Sequence, residues 1–333
     1  MNNIPDKLNI ILIAISAFLA YLFPLELFLI TYAILGPLHY VTEINWLNDK
    51  NYYFNSKKWL WLSIGIISAL ILFAPRLYYE YGIRNNWIGE SMVFISSWSN
   101  SVLFICLLLA IGNQFIISKR GWVIFSITGL VFVLFLNDLE FFHLLIGTFV
   151  PTIIHVYFFT LIFMVYGTIK SNSAFGYLAV FLTLLAPCLI FVIPLDPANY
   201  LFNDSFKAIF VANEFYRIPV SIAQFLGLSD GSSFFFYETL ELRLMMFMSF
   251  IYCYHYLNWF SKTTVIKWHR MLNLKKSIGI GGIWLGSLFL YYIDFRLGFL
   301  VSLFLSFMHV ILEFPLNMES IKGILVKLKP PKK

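Results

Sequence analysis

Residues 296–314 read RLGFLVSLFLSFMHVILEF, a largely apolar run that contains His309 and Glu313. A helix needs about 20 predominantly apolar residues to cross a bilayer, so this run predicts a membrane-spanning helix. A spacing of four places both side chains on one helix face, one turn apart. His39 and Glu43 repeat the pattern in another apolar run. Because imidazole and carboxylate ligate metals and are costly at membrane depth, the two pairs indicate a metal site between helices.

The composition of the whole chain supports an integral membrane protein. Of its 333 residues, 60% are hydrophobic and 12% are charged, whereas soluble domains have roughly 25% charged residues. The mean hydropathy is +0.81. The net charge of +6 does not indicate a nucleic-acid partner, because the basic residues fall in short segments between apolar runs. The cysteines lie far apart in apolar runs, which predicts small core residues rather than disulfides.

Ten apolar runs in the chain qualify as spans. They lie at about 8–22, 25–46, 58–75, 92–117, 121–136, 141–169, 174–194, 237–260, 276–293 and 296–314. The first is short and the sixth is interrupted at Gly147 and Pro151, so nine or eleven spans are the alternatives. We therefore predict an all-α, polytopic integral membrane helical bundle with about ten transmembrane helices, a single domain over residues 1–333. Apolar stretches in the long segment 195–236 predict interfacial helices on the outer surface.

The distribution of lysine and arginine predicts the orientation. With ten spans, the basic segments all fall on one side, which the positive-inside rule assigns to the cytoplasm. We therefore expect both termini to be cytoplasmic, in a bacterial-type inner or plasma membrane. The residues concerned are Lys50, Lys57, Lys58, Lys119, Arg120, Lys170, Lys262, Lys267, Arg270, Lys275, Lys276, Lys322, Lys327, Lys329, Lys332 and Lys333.

Three histidines on three predicted helices lie at a similar depth. His39, His255 and His309 each fall roughly 10–15 Å short of the inner end of their helix, at about 1.5 Å per residue. His155 is on a fourth helix that runs in the same direction, somewhat nearer the midplane. If these four helices pack together, their histidines converge as metal ligands. His143, in an acidic segment at the outer boundary, is instead expected to be solvated.

Other polar residues accompany the candidate ligands. Glu43 and Glu313 are placed either to ligate the metal or to support a ligand. Tyr40 and Asn258 add hydrogen-bonding groups in the same inner half, as candidate catalytic residues. Nitrogen and oxygen ligands without thiolate suit iron, manganese or zinc, and open positions on such an ion suit oxygen chemistry.

The segment around His39 also resembles a known family motif. Residues 36–43 read GPLHYVTE, which resembles the first-half motif of the Brp/Blh-type membrane carotenoid dioxygenases. The resemblance implies a polytopic enzyme that cleaves β-carotene at its central double bond to give retinal, using a histidine-bound non-haem iron. It would make His39 an iron ligand and Glu43 its supporting acid. The chain departs from that pattern in having no His-x-x-x-His pair, so His255 and His309 would supply the later ligands.

Three classes of function fit these residues. The first is a non-haem metal oxygenase, expected to use Fe(II) and O₂ on an apolar substrate that enters from the lipid bilayer, with carotenoid or polyene cleavage as the specific case. The second is a transporter or cation-coupled permease that uses the intramembrane histidine and glutamate residues. The third is a b-type haem protein with two facing histidines.

Overall fold

A computed structural model describes residues 4–50, 52, 58–82, 86–262 and 268–328. Within these ranges the regular structure is helical throughout and contains no strand. Nine of the described helices are long and apolar enough to cross a membrane. The predicted fold class is therefore confirmed: the protein is a multi-pass helical membrane protein.

All ten predicted helices are present. Two short helices, α8 and α9, lie in segment 195–236, where interfacial helices are predicted. The helices are α1 (Ile4–Leu22), α2 (Pro24–Lys50), α3 (Lys58–Tyr81), α4 (Asn86–Phe115), α5 (Lys119–Leu136), α6 (Glu140–Ser171), α7 (Ala174–Val192), α8 (Asp204–Ala212), α9 (Arg217–Phe225), α10 (Thr239–Ser261), α11 (Leu274–Ile293) and α12 (Phe295–Leu328).

Helix α10 is more polar than the other predicted spans. It has 23 residues, but it is not among the nine described helices whose composition suits a span. Polar residues in its second half, such as Tyr254, His255 and Asn258, lower its hydropathy and are themselves buried. A helix that is enclosed by protein needs no lipid-compatible surface. The polar side chains of α10 therefore point into the protein.

The interruption predicted in the sixth span is a change of helix type. Helix α6 continues through Gly147 and Pro151, and the segment His143–Phe159 is π-helical. Proline lacks an N–H group, and its ring displaces the carbonyl of the preceding turn. A wider π turn accommodates this displacement, and π-helical turns are frequent at functional sites. His155 lies in this widened segment.

Prolines also lie beside both His-x-x-x-Glu pairs. Pro37 is inside α2, two residues before His39, and Pro315 is inside α12, two residues after Glu313. A proline in a helix interior removes one backbone hydrogen bond and kinks the helix. Each pair therefore lies beside a helix turn that lacks one backbone hydrogen bond.

The chain divides into two compact units. The first unit comprises Met1–His39 and Val156–Phe299, and the second comprises Tyr40–His155 and Leu300–Lys333. In the first unit α1 packs against α7 and α10, and in the second α4 packs against α3 and α5. Helices α2, α6 and α12 contribute residues to both. The single domain predicted from the sequence stays a prediction.

The segment 195–236 of the first unit is anchored by an aromatic side chain. Between α8 and α9, Glu214 adopts a left-handed conformation with φ of 58°, which is uncommon for a residue other than glycine. The next residue, Phe215, is buried, and its ring centroid lies 5.2 Å from that of Phe28 and 4.8 Å from that of Phe299. The two short helices therefore pack on the helical core of this unit.

The predicted orientation rests partly on residues outside the described ranges. These residues are Lys57, Lys267, Lys329, Lys332 and Lys333. The cytoplasmic placement of both termini stays a prediction.

Candidate metal centre

Three candidate residues of the second unit lie together. His155 of α6 and His309 and Glu313 of α12 each offer one ligand atom, and these atoms all lie within 4.8 Å of one another. His155 Nε2 is 3.0 Å from His309 Nε2, and His155 Nδ1 is 3.1 Å from Glu313 Oε2. All three residues are buried. Ligands held about 2.1 Å from one ion at a right angle are about 3 Å apart, so the separation of the two Nε2 atoms suits metal ligation. The 3.1 Å contact of Glu313 is instead with the other ring nitrogen of His155.

The hydrogen-bonding partners define how these imidazoles are oriented. His309 Nδ1 lies 3.0 Å from the backbone carbonyl of Ser306. A carbonyl only accepts, so Nδ1 carries the proton and Nε2 presents a lone pair. The carboxylate of Glu313 favours a proton on the adjacent Nδ1 of His155. Two Nε2 lone pairs then face each other and repel unless a proton or a metal ion lies between them.

A second carboxylate approaches the same histidine pair. Glu43 Oε2 lies 3.8 Å from His309 Nε2, and Glu43 is 2% exposed. The ring of Tyr40 stacks on that of His309, with centroids 4.7 Å apart and an interplanar angle of 30°. Glu43 on α2 and Glu313 on α12 each contact a histidine of another helix. Two buried carboxylates offset the charge of a divalent ion, which is otherwise costly to bury.

The other two candidate histidines meet in the first unit. His39 Nε2 lies 3.1 Å from His255 Nε2, and His255 Nδ1 lies 2.7 Å from the Thr160 hydroxyl. The rings of Tyr256 and Trp259 pack beside His39, with centroid distances of 5.1 and 5.6 Å. A hydroxyl can donate or accept, so it does not define the tautomer of His255. That all four histidines serve as metal ligands stays a prediction.

The short Nε2 separations argue against a b-type haem in either histidine pair. An iron with two axial imidazoles at about 2 Å holds their nitrogens about 4 Å apart, on opposite sides of the porphyrin. The observed separations are 3.1 and 3.0 Å. Neither pair therefore has the geometry of bis-histidine haem ligation.

Asn258, a predicted catalytic residue, is buried on α10 in the first unit. Its backbone carbonyl accepts a 2.8 Å hydrogen bond from the Ser261 hydroxyl. Its side-chain oxygen has no hydrogen-bond partner within the described part of the chain. A catalytic role for Asn258 stays a prediction.

His143 is not the solvated residue that the sequence predicts. It is half-buried, its Nε2 lies 2.7 Å from the backbone carbonyl of Asn137, and its Nδ1 lies 2.9 Å from Asn100 Nδ2. The carbonyl places the proton on Nε2, so Nδ1 accepts from the amide. The prediction is wrong because the first turn of the π-helical segment directs the ring toward α4. His143 is thus a structural histidine.

Helix α3 supplies two supporting residues that the sequence does not reveal. Trp61 is fully buried and donates a 3.4 Å hydrogen bond from Nε1 to the backbone carbonyl of Leu312. One turn later, a Cβ added at Gly65 would lie 2.5 Å from Leu312 Cδ2. Leu312 directly precedes Glu313, so α3 holds the turn that carries this carboxylate. A glycine one turn after a tryptophan is the only sequence signal, and it does not identify the partner helix.

Comparisons of the chain with protein-family models, with curated proteins and with solved structures find no match. The resemblance to the Brp/Blh-type dioxygenases therefore stays a prediction. The geometry by itself establishes a multi-pass helical membrane protein with buried histidine and glutamate groups that could hold a metal ion.

Proposed function

We propose that the protein is a membrane-embedded oxygenase that binds a non-haem iron through His155, His309 and Glu313. The observation that carries the proposal is the mutual proximity of their three ligand atoms, all within 4.8 Å. Two histidines and one carboxylate, with the remaining positions open, form the ligand set of non-haem Fe(II) oxygenases. Iron held by such a set supplies oxygen-activating redox chemistry that side chains alone lack.

The surrounding residues have separate roles in this proposal. The Ser306 carbonyl keeps the proton on His309 Nδ1, which leaves Nε2 available as a ligand. Glu43 adds a second negative charge 3.8 Å from the same nitrogen. Tyr40 covers one face of the His309 ring. We also assign His39 and His255 as metal-binding residues of the first unit, on the basis of their 3.1 Å separation.

The substrate that we propose is an apolar polyene, such as a carotenoid, that enters from the bilayer. Support comes from the burial of the candidate ligands in apolar spans and from the resemblance of residues 36–43 to the carotenoid dioxygenase motif. Only 6% of the residues in the apolar windows of helices α5 and α11 are buried, as lipid contact requires. The reaction would use one O₂ to convert one carbon–carbon double bond into two carbonyl groups.

The test is metal analysis of the purified full-length protein, together with product analysis. After anaerobic loading with Fe(II), we expect near-stoichiometric iron, and with β-carotene and O₂ we expect aldehyde products detectable by mass spectrometry. His155→Ala and His309→Ala should lose the iron. His143→Ala is the matched control and should retain it, because both nitrogens of that ring are engaged elsewhere. Wild-type protein without iron, or full retention in both variants, would contradict the proposal.

A transporter is the second candidate function. The observation that favours it is the continuation of buried polar residues along α12 beyond Glu313, to Asn317 and Ser320. Intramembrane polar residues of this kind also mark proton and ion pathways. Proton or cation flux in proteoliposomes that persists in metal-free protein would favour this function over the oxygenase.

A further inference from the structure

One end of the second unit carries several cations without an acidic partner. Lys119 and Arg120 are the first residues of α5, and Lys322 and Lys327 lie in the last two turns of α12. All four residues are exposed. Within the described part of the chain, none of them forms an ion pair with a carboxylate. We call these four residues the basic surface.

Contacts of α4 bring the two parts of the basic surface to one level. Lys322 Nζ donates a 2.6 Å hydrogen bond to the backbone carbonyl of Gln114, the next-to-last residue of α4. A Cβ added at Gly121 would lie 3.0 Å from Ile116 Cγ2, so α5 begins beside the end of α4. A carbonyl is neutral, so its hydrogen bond leaves the charge of Lys322 uncompensated. The cations therefore lie at the same end of this unit.

Exposed apolar side chains accompany these cations. Ile117, in the connection between α4 and α5, is 99% exposed. Leu325, Val326 and Leu328 at the end of α12 are 49%, 59% and 69% exposed, so the helix end projects from the protein. Segments that combine lysine or arginine with exposed apolar residues are typical of the headgroup region of a bilayer.

The charge of this end is strongly positive. Glu319, exposed on α12 one turn before Lys322, is the carboxylate closest to it along the helix, and the connection 114–122 contains none. The sequence adds Lys329, Lys332 and Lys333 after the described end of α12, again without an acidic residue. Clusters of about four to eight basic residues beside a membrane span bind anionic lipid headgroups.

We propose that the basic surface and the apolar side chains around it bind the headgroup region of an anionic phospholipid membrane. The cations contact phosphate oxygens, and the apolar side chains lie between the headgroups. Arg120 contributes a planar guanidinium, which can donate two parallel hydrogen bonds to one phosphate. Hydrocarbon would suit only the apolar side chains and water only the cations, whereas the headgroup region suits both. This binding does not involve the candidate metal ligands and does not depend on the proposed oxygenase function.

An environment-sensitive fluorescent label at Val326→Cys tests the proposal. The full-length protein also carries Cys188→Ser, because Cys188 is exposed whereas Cys106 and Cys253 are buried. One copy is placed in each nanodisc, made of phosphatidylcholine or of its mixture with phosphatidylglycerol. With phosphatidylglycerol, we expect quenching by neutral acrylamide to fall at least about threefold, and high salt to reverse this protection by screening. The same label at Leu201→Cys, 91% exposed in the first unit, is the control and should not change.

Charge-matched variants test whether the basic surface is responsible. Lys119→Gln, Arg120→Gln and Lys327→Gln together should abolish the protection, and Lys322 is kept because it bonds to α4. Equal loss in a control that removes the same charge elsewhere would overturn the proposal. The control, which should keep the protection, combines three exposed residues of the first unit: Lys7→Gln, Lys170→Gln and Lys275→Gln.

Two further outcomes would also overturn the proposal. Protection in phosphatidylcholine alone would show that apolar contact suffices without an anionic headgroup. Protection by soluble glycerol phosphate, added to phosphatidylcholine nanodiscs, would identify a free phosphate as the ligand instead of a membrane. The salt reversal uses the native cations, so it decides the question even where a glutamine variant does not fold. None of these measurements needs metal, so failure of lipid binding and failure of iron binding are separate results.

Discussion

The two histidine pairs have nearly the same spacing but different partners. The Nε2 atoms lie 3.1 Å apart in the first unit and 3.0 Å apart in the second. In the first unit the Thr160 hydroxyl contacts His255 Nδ1. In the second unit the Glu313 carboxylate lies beside His155 Nδ1. The anionic partner favours a lone pair on Nε2, whereas a hydroxyl leaves the tautomer open.

Histidine spacing alone therefore does not determine affinity for a divalent ion. Burying a divalent charge requires compensating negative charge as well as lone pairs. Glu313 and Glu43 both approach the second-unit pair. We therefore expect the second-unit pair to dominate metal binding, and four variants test this in order of decreasing effect.

Glu313→Gln should have the largest effect. The substitution keeps the shape of the side chain but removes its charge, so Fe(II) affinity should fall on the order of 100-fold, about 2.7 kcal/mol. Competition with a coloured chelator measures this fall. Glu319→Gln, on the exposed side of the same helix, is the control. Unchanged affinity in Glu313→Gln would remove the carboxylate from the ligand set.

Glu43→Gln should weaken Fe(II) binding about tenfold, as removal of a supporting group around a metal site does. The effect is smaller because Glu43 lies 3.8 Å from His309 Nε2 and acts mainly through its charge. The same competition measurement applies, with Glu26→Gln at the start of α2 as the control. A loss as large as that of Glu313→Gln would instead identify Glu43 as a ligand.

Gly65→Ala should displace the turn that carries Glu313, because the new Cβ would lie 2.5 Å from Leu312 Cδ2. Overpacking of this kind costs about 1–3 kcal/mol, and part of that cost should appear as a roughly threefold to tenfold loss of Fe(II) affinity. Leu312→Ala makes room and should restore binding in the double variant. Gly89→Ala, whose nearest neighbour is 3.5 Å away, is the control. Failure of the rescue would show that α3 does not position Glu313.

Thr160→Val should have the smallest effect on metal binding. It removes the hydroxyl that contacts His255 Nδ1, so we expect destabilisation by about 1–2 kcal/mol with less than a threefold change in Fe(II) affinity. Thermal unfolding in detergent and the chelator competition measure the two quantities. If Thr160→Val lost as much iron as Glu313→Gln, the second-unit histidine pair would not be the one that dominates metal binding.

Much of the fold could be predicted from the sequence because each membrane helix corresponds to a continuous run of apolar residues. The main error in bounds is α12, which continues to Leu328 rather than ending near residue 314. Hydropathy falls at Asn317 and Glu319, but backbone hydrogen bonding does not depend on hydropathy, so the helix continues. The break expected at Pro151 is likewise absorbed by a π-helical segment.

The candidate site was only partly predictable. The cost of polar groups in lipid identifies His39, His155, His255, His309, Glu43 and Glu313 from the sequence alone. Spacing along one helix suggests that each glutamate supports the histidine one turn before it. The contacts of Glu313 with His155 and of Glu43 with His309 instead join different helices. Trp61 and Gly65 carry no comparable signal, because tryptophan and glycine are ordinary in apolar helices.

The all-helical membrane fold, with histidines and glutamates in its spans, can be inferred from sequence because hydropathy and helical period are properties of neighbouring residues. Which histidine faces which, and which carboxylate each one contacts, follows from tertiary packing. Those contacts depend on how each helix is rotated about its axis and on which helix packs beside it. The partners, such as His155 and His309, lie 154 positions apart in the chain. A pattern of neighbouring residues therefore cannot predict contacts between such distant residues.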